Sequence, residues 1–113
     1  MRRGEIWWAD FGGARGSAPA FRHPALVLQR DEVNRSSIDT VVVCALISNT
    51  RWASAPGNTL LPRKTTKLPR ATVANASQIA TLDRRDLVER VSALPATVMA
   101  QVEAGIRWFL QLE

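Results

Sequence analysis

Apolar residues fall along this chain in short runs, each closed by small or polar residues. EIWWAD, residues 5–10, is brief and aromatic, bounded by Gly4 and by Gly12-Gly13, and reads as a first strand. GGARGSAPAF, residues 12–21, is a loop rich in small residues. PALVLQ, 24–29, has the pattern of a buried strand, and DEVNRSSID, 31–39, is polar and turn-like with room for one helical turn. TVVVCALIS, 40–48, is the strongest strand signal, β-branched and almost wholly apolar. After a loop at 49–57, NTLLP (58–62) and ATVANASQIATL (71–82) read as further strands, separated by the basic RKTTKLPR. Asp83 is placed as an N-cap for a short helix at 84–87, and a brief strand follows near 89–92. From Pro95 onward, Val98, Val102, Ile106, Phe109 and Leu110 recur at helical spacing, with Gln101, Glu103 and Arg107 off that stripe. The succession of strands closed by one amphipathic helix predicts a mainly β fold with α: a small barrel or curled sheet with a C-terminal helix packed on it.

The length of 113 residues fits one domain, 1–113, and 46% hydrophobic content supplies a core for it. A single cysteine, Cys44, excludes an internal disulfide framework and any multi-cysteine metal site; within VVVCAL it reads as a small buried hydrophobe. The opening MRRGEIWWADF carries charge but no apolar stretch of signal-peptide length, and no segment approaches a membrane span, so a cytoplasmic location is expected.

Charge changes this picture. The net charge is +5, and between Asp39 and Asp83 there is no acid, while Arg51, Arg63, Lys64, Lys67 and Arg70 all fall there. A run biased in this way favours polyanions over a merely solvated loop. The only histidine, His23, lies between Arg22 and Pro24 at the mouth of an apolar run. Pro24 biases it toward extended backbone. An unperturbed imidazole titrates near pH ~6.5, and an adjacent guanidinium favours its neutral, proton-accepting form. The alternative is a turn histidine bonded to backbone. Ser48, Asn49, Thr50 and Arg51 end the long strand with hydroxyls, an amide and a guanidinium, a set suited to phosphate oxygens as well as to an ordinary turn. Trp7, Trp8 and Trp52 are candidates to stack on bases. Trp7 and Trp8 face opposite sides of their strand, so one of them reads as core; Trp52, beside Arg51, is the better candidate, and Trp108 on the helix reads as structural.

These pieces resemble the MazF/PemK family of toxin endoribonucleases. The resemblance is carried by RRGEIWWADF, by GS with Pro-Ala-Leu-Val-Leu starting eight residues after the glycine, and by DEVNR, TVVVCALISNTR, PGNTLLP and SQIATLDRRDLVERV, in order and over nearly the whole chain. It implies an SH3-like barrel, a homodimer with single-stranded RNA in a groove across it, and a cognate MazE-like antitoxin whose acidic, flexible tail occupies that groove. It also implies cleavage without metal or other cofactor, by attack of a ribose 2′-OH on the adjacent phosphorus, leaving a 2′,3′-cyclic phosphate and a 5′-OH. Such chemistry needs a proton acceptor, a proton donor and stabilisation of the phosphorane charge. The chain departs from the family pattern at three positions: His23 stands where Arg is usual, with Arg22 one residue early; Ile47 stands where Thr is usual, with Ser48 one residue late; and Ala18 stands where an acid or amide often follows Gly-Ser. The expected site is therefore Arg22, His23 and Ser48 for chemistry, with Ser17, Asn49, Arg51 and Gln78 for RNA contact. Two other readings stay open: an inactive homologue that only binds RNA or antitoxin, and a gyrase poison like CcdB, whose helix-end Trp would correspond to Trp108.

Overall fold

The computed structural model describes residues 1–13 and 21–113. Six strands and three helices follow one another as β1 (Glu5–Asp10), β2 (Arg22–Val27), α1 (Asp31–Asn34), β3 (Thr40–Ile47), β4 (Thr59–Leu61), α2 (Arg63–Thr66), β5 (Thr72–Asp83), β6 (Leu87–Ala93) and α3 (Ala96–Leu110). Single 3-10 turns at Thr50–Ser54 and Arg84–Asp86 precede β4 and β6. The strands form one antiparallel sheet in the order β4-β5-β3-β2-β1-β6, curled into a half-barrel. Breaks in register between Cys44 and Leu46 on β3, and at two places on β1, supply the extra twist that curling requires.

Alternation along the strands sends side chains into two separate cores. Ile6, Leu26, Cys44, Leu46, Leu61 and Ala74 join Leu94, Met99 and Val102 beneath α3, with Trp8 packed at the edge. Ala9, Ala25, Val27, Val41 and Val43 form the second core on the other face, flanked by Trp7, Phe11, Leu82 and Leu87. Adjacent Trp7 and Trp8 thus do divide between faces, and Cys44 is buried, its thiol pushed up to about 12 by loss of solvent. The helix lies so close to the turn before β4 that a side chain at Gly105 would meet the Gly57 backbone, and Gly57 itself has φ +87°.

Several local expectations are corrected. Asp83 caps nothing with its side chain and pairs with Arg85 instead; the segment after it is a 3-10 turn rather than a helix to 87. The basic RKTTKLPR contains α2. On α3 the apolar stripe packs on the core only as far as Ile106: Val102 is buried, Val98 and Ile106 are half-buried against the core, and Met99 joins them from beside the stripe, whereas Phe109 and Leu110 are exposed and Trp108 is 64% exposed. No helix among the described residues is long and apolar enough to cross a membrane.

Glu5 is the buried charge that joins the start of β1 to β6. Its carboxylate accepts from Arg90 Nε at 2.7 Å, the Arg2 amide at 2.8 Å and the Trp7 indole at 3.1 Å. Burial by itself would raise its pKa; the Arg90 hydrogen bond, the Arg2 and Trp7 bonds and the Arg90 charge together outweigh it and hold the carboxyl below its ordinary 4.5. A depressed acid stabilises the fold above its unfolded-state pKa, and that stability is lost as pH falls through the folded value. Glu5→Gln is therefore expected to cost about 1–3 kcal/mol at pH 7 and to leave a stability profile flatter between neutral pH and the acid limb. Urea unfolding at stepped pH measures this; parallel profiles for the two proteins would contradict it.

Candidate active site

The position of Arg22 and Ser48 follows from the ladder. β2 pairs with β3 as Ala25↔Ala45, Leu26↔Cys44 and Val27↔Val43. Continued outward, that register sets His23 opposite Ile47 and Arg22 opposite Ser48. β3 pairs with β5 as Leu46↔Ala74 and Ile47↔Val73, which continues to Ser48 opposite Thr72. Two rows therefore cross the three strands, one reading Arg22, Ser48, Thr72 and the other His23, Ile47, Val73. They lie on opposite faces, because successive side chains alternate. The one-residue offsets of Arg22 and Ser48 run in opposite directions along antiparallel strands, so the pair stays together and moves as a unit to the other face.

A cavity of about 240 Å³ opens on the first row, lined by Arg22, Ser48 and Thr72 together with Trp8, Leu46, Leu68 and Arg70, and bordered by His23 and Pro24. β3 ends at Ile47, so Ser48 is already free of the ladder and exposed. Arg70 is brought in by the segment after α2: Lys67 closes that helix in the left-handed conformation, the Thr66 hydroxyl accepts from the Leu68 amide at 3.1 Å, and Leu68 is buried in the core beneath α3. Ser92 Oγ ties the Thr66 carbonyl to β6.

Arg22 crosses the Trp8 ring, 5.3 Å from its centroid, to reach Glu89 Oε1 at 3.0 Å. Both partners are more than half exposed, so the ion pair is worth about 0–1 kcal/mol and yields readily to a stronger anion. The Trp8 face holds the guanidinium at the cavity mouth while the carboxylate occupies it. His23 is half-buried, and its ring meets Phe11 edge-on at 6.2 Å between centroids. It thus leans on the second core yet still borders the cavity.

Asn49, Arg51 and Gln78 do not line this cavity. Asn49 caps the 3-10 turn, accepting from the Arg51 amide at 3.3 Å, and Arg51 lies over Trp52 at 5.6 Å. Gln78 lines a second cavity of about 650 Å³ with Ile47, Trp52, Asn75, Trp108 and Phe109. That cavity is larger, but none of its lining residues is charged, so it offers nothing to neutralise a phosphate. Ser17 and Ala18 lie outside the described residues. Conversely, Thr72 was not expected at the site, while Trp8 was named only among the stacking candidates and Arg70 only as part of the acid-free basic run. The continued β3–β5 register finds Thr72, and the pairing of Trp8 with Pro24 sets Trp8 on the face that bears Arg22; Arg70 stands two residues ahead of β5.

Comparison with known proteins agrees with this architecture. A family model described as "PemK-like, MazF-like toxin of type II toxin-antitoxin system" matches residues 2–110. The chain is 47% identical over 112 residues to Endoribonuclease MazF6 of Mycobacterium tuberculosis, covering 99% of this chain and 98% of that protein. Among solved structures it is similar to MazF from Deinococcus radiodurans, with a TM-score of 0.81, 25% identity and coverage of 99% and 97%. It also shares the fold of a mycobacterial endoribonuclease solved with its cognate antitoxin, at a TM-score of 0.76 and 19% identity, covering 100% and 95%. With its antiparallel half-barrel, its closing helix and a family match over almost every residue, the chain belongs to the PemK-like, MazF-like toxins of type II toxin–antitoxin systems.

Proposed function

We propose that this chain is a metal-independent endoribonuclease toxin that cleaves single-stranded RNA by 2′-OH attack and is neutralised by an acidic antitoxin. The observation that carries the reading is the convergence of Arg22, Arg70, Ser48 and His23 on one cavity, in a chain close in sequence to proteins named endoribonucleases. Arg22 and Arg70 neutralise the scissile phosphate; a guanidinium presents its donors in a plane that matches two phosphate oxygens. Ser48 donates to a phosphate oxygen from the strand end. His23 accepts the 2′-OH proton and returns one to the departing 5′ oxygen, a cycle that leaves the imidazole as it began. The substrate is single-stranded because the 2′-OH must swing into line with the bond that breaks. Trp8 supplies an aromatic edge for a base.

The same charges account for the antitoxin. A chain of net charge +5 with an acid-free stretch from residue 40 to residue 82 attracts an acidic segment to the surface that RNA uses. The reading includes a homodimer and a cytoplasmic setting, where the substrate is found. A non-enzymatic binding module is the second reading, favoured by the row in which His23 faces an Ile that can donate no hydrogen bond.

Purified protein is expected to cut a long single-stranded RNA in the presence of EDTA into discrete fragments with 5′-OH ends, detected by kinase labelling without prior dephosphorylation. Intact RNA with a folded protein supports the binding module instead. Glu89→Gln is expected to tighten RNA binding about 2–5-fold at low salt, the range an exposed ion pair of this kind supports, because Arg22 is then free before RNA arrives. Unchanged or weakened binding in a fluorescence anisotropy titration would show that Glu89 does not compete with the substrate.

A further inference from the structure

We propose that Thr72 is a further catalytic residue, whose hydroxyl donates to a non-bridging oxygen of the phosphate as charge builds on it; the inference rests on the endoribonuclease reading. Thr72 is 3% exposed, and its Oγ1 is buried without a hydrogen-bond partner among the described residues. A buried hydroxyl normally finds a partner, since an unmade bond costs stability. Thr72 lines the cavity that holds Arg22, Ser48 and Arg70, and the ladder places it across from Ser48, one step beyond the pair Ile47↔Val73. At about 240 Å³ the cavity is far larger than a single water needs.

The surroundings select the ligand. The hydroxyl is neutral and the cations around the cavity are guanidiniums, which only donate. An acceptor-rich anion is the one class of group that satisfies Arg22, Arg70 and Thr72 together, and a phosphodiester is the anion that RNA brings. Because Oγ1 is screened from water, the hydroxyl is not spent on solvent before the substrate arrives. A rotation of roughly 120° around χ1 carries the hydroxyl to the position of the methyl, and the methyl to that of the Cβ hydrogen, without moving the backbone. β5 fixes that backbone on both sides: Thr72 pairs with Leu61 of β4, and its neighbour Val73 with Ile47 of β3. With the backbone held this way, one side-chain rotation is the whole reorganisation needed to aim the donor at the developing charge, and little reorganisation is the condition for stabilising a transition state rather than the bound substrate.

The test uses Thr72→Val, which keeps the shape and removes the hydroxyl, and Thr72→Ser, which keeps the hydroxyl. Steady-state cleavage of a short RNA gives kcat and KM; binding of the same RNA with a 2′-deoxy residue at the cut site gives affinity without turnover. The expected result is a loss of about 10–100-fold in kcat for Thr72→Val, binding within threefold of wild type, and recovery in Thr72→Ser to within fivefold. Thermal unfolding adds a readout that a structural residue would move the other way: removing an unpartnered buried hydroxyl should leave the melting temperature unchanged or raised. A Thr72→Val protein with kcat within twofold of wild type overturns the inference while leaving the endoribonuclease reading intact. A Thr72→Val protein that melts lower and loses binding and turnover in proportion overturns it in favour of a structural role. Wild-type protein that leaves the RNA whole overturns both.

Discussion

The pairing of β3 with β5 is the constraint on which the rest of the structure depends. Its register break, where Cys44↔Ile79 gives way to Leu46↔Ala74, adds the local bend and twist that let the long β5 follow the curl. Beyond that break the pleat allows no compromise. Leu46 and Ala74 face the core beneath α3, and Ser48 and Thr72 continue that side of the sheet into the cavity, while Ile47 and Val73 face away. A slip of one residue would exchange these sets entirely. The chemistry that the chain can offer is therefore decided by parity along three strands before any side chain is considered.

Parity also gives meaning to the departures from the family pattern. Taken one position at a time, an Arg that is one residue early and a Ser that is one residue late look like two losses. On antiparallel strands they are a single displacement, since moving back along β2 and forward along β3 keeps two residues opposite each other. The displaced pair comes to a cavity that also receives Arg70 from the loop before β5 and holds Trp8 behind the guanidinium. Glu89 completes the resting arrangement by occupying Arg22 from β6. That exposed ion pair is weak, and a polyanion that makes several contacts at once is expected to displace it.

Much of the fold was legible because its signals are local. Strand periods, the polar turn at 31–39 and the helix after Pro95 are written in spacing and punctuation. What was not legible depends on contacts distant in sequence. The end of the α3 stripe looks like its start, yet packing against the distant strands covers Val102 and leaves Phe109 exposed. Asp83 has the chemistry of a cap, but the Arg84 amide is taken by the Asp39 carbonyl at 2.8 Å. At the site, residue type pointed to Arg22, His23 and Ser48, and geometry brought Arg22 and Ser48 together with His23 at the border. Asn49 and Arg51 were chosen for chemistry that the local turn already uses. Thr72 carried no signal of its own type; it emerges only when the register of two ladders is extended by one step.

The central claim is that RNA phosphate is held on the face of the sheet that bears Arg22, Ser48 and Thr72. The most direct test is a crystal structure of the protein with a short RNA made uncleavable by a 2′-deoxy residue at the cut site. The account predicts the phosphate at that step within hydrogen-bond distance of Arg22 and Arg70, with the Arg22–Glu89 pair opened and His23 facing the sugar. A phosphate seated instead on the opposite face, against Ile47 and Gln78, would contradict it.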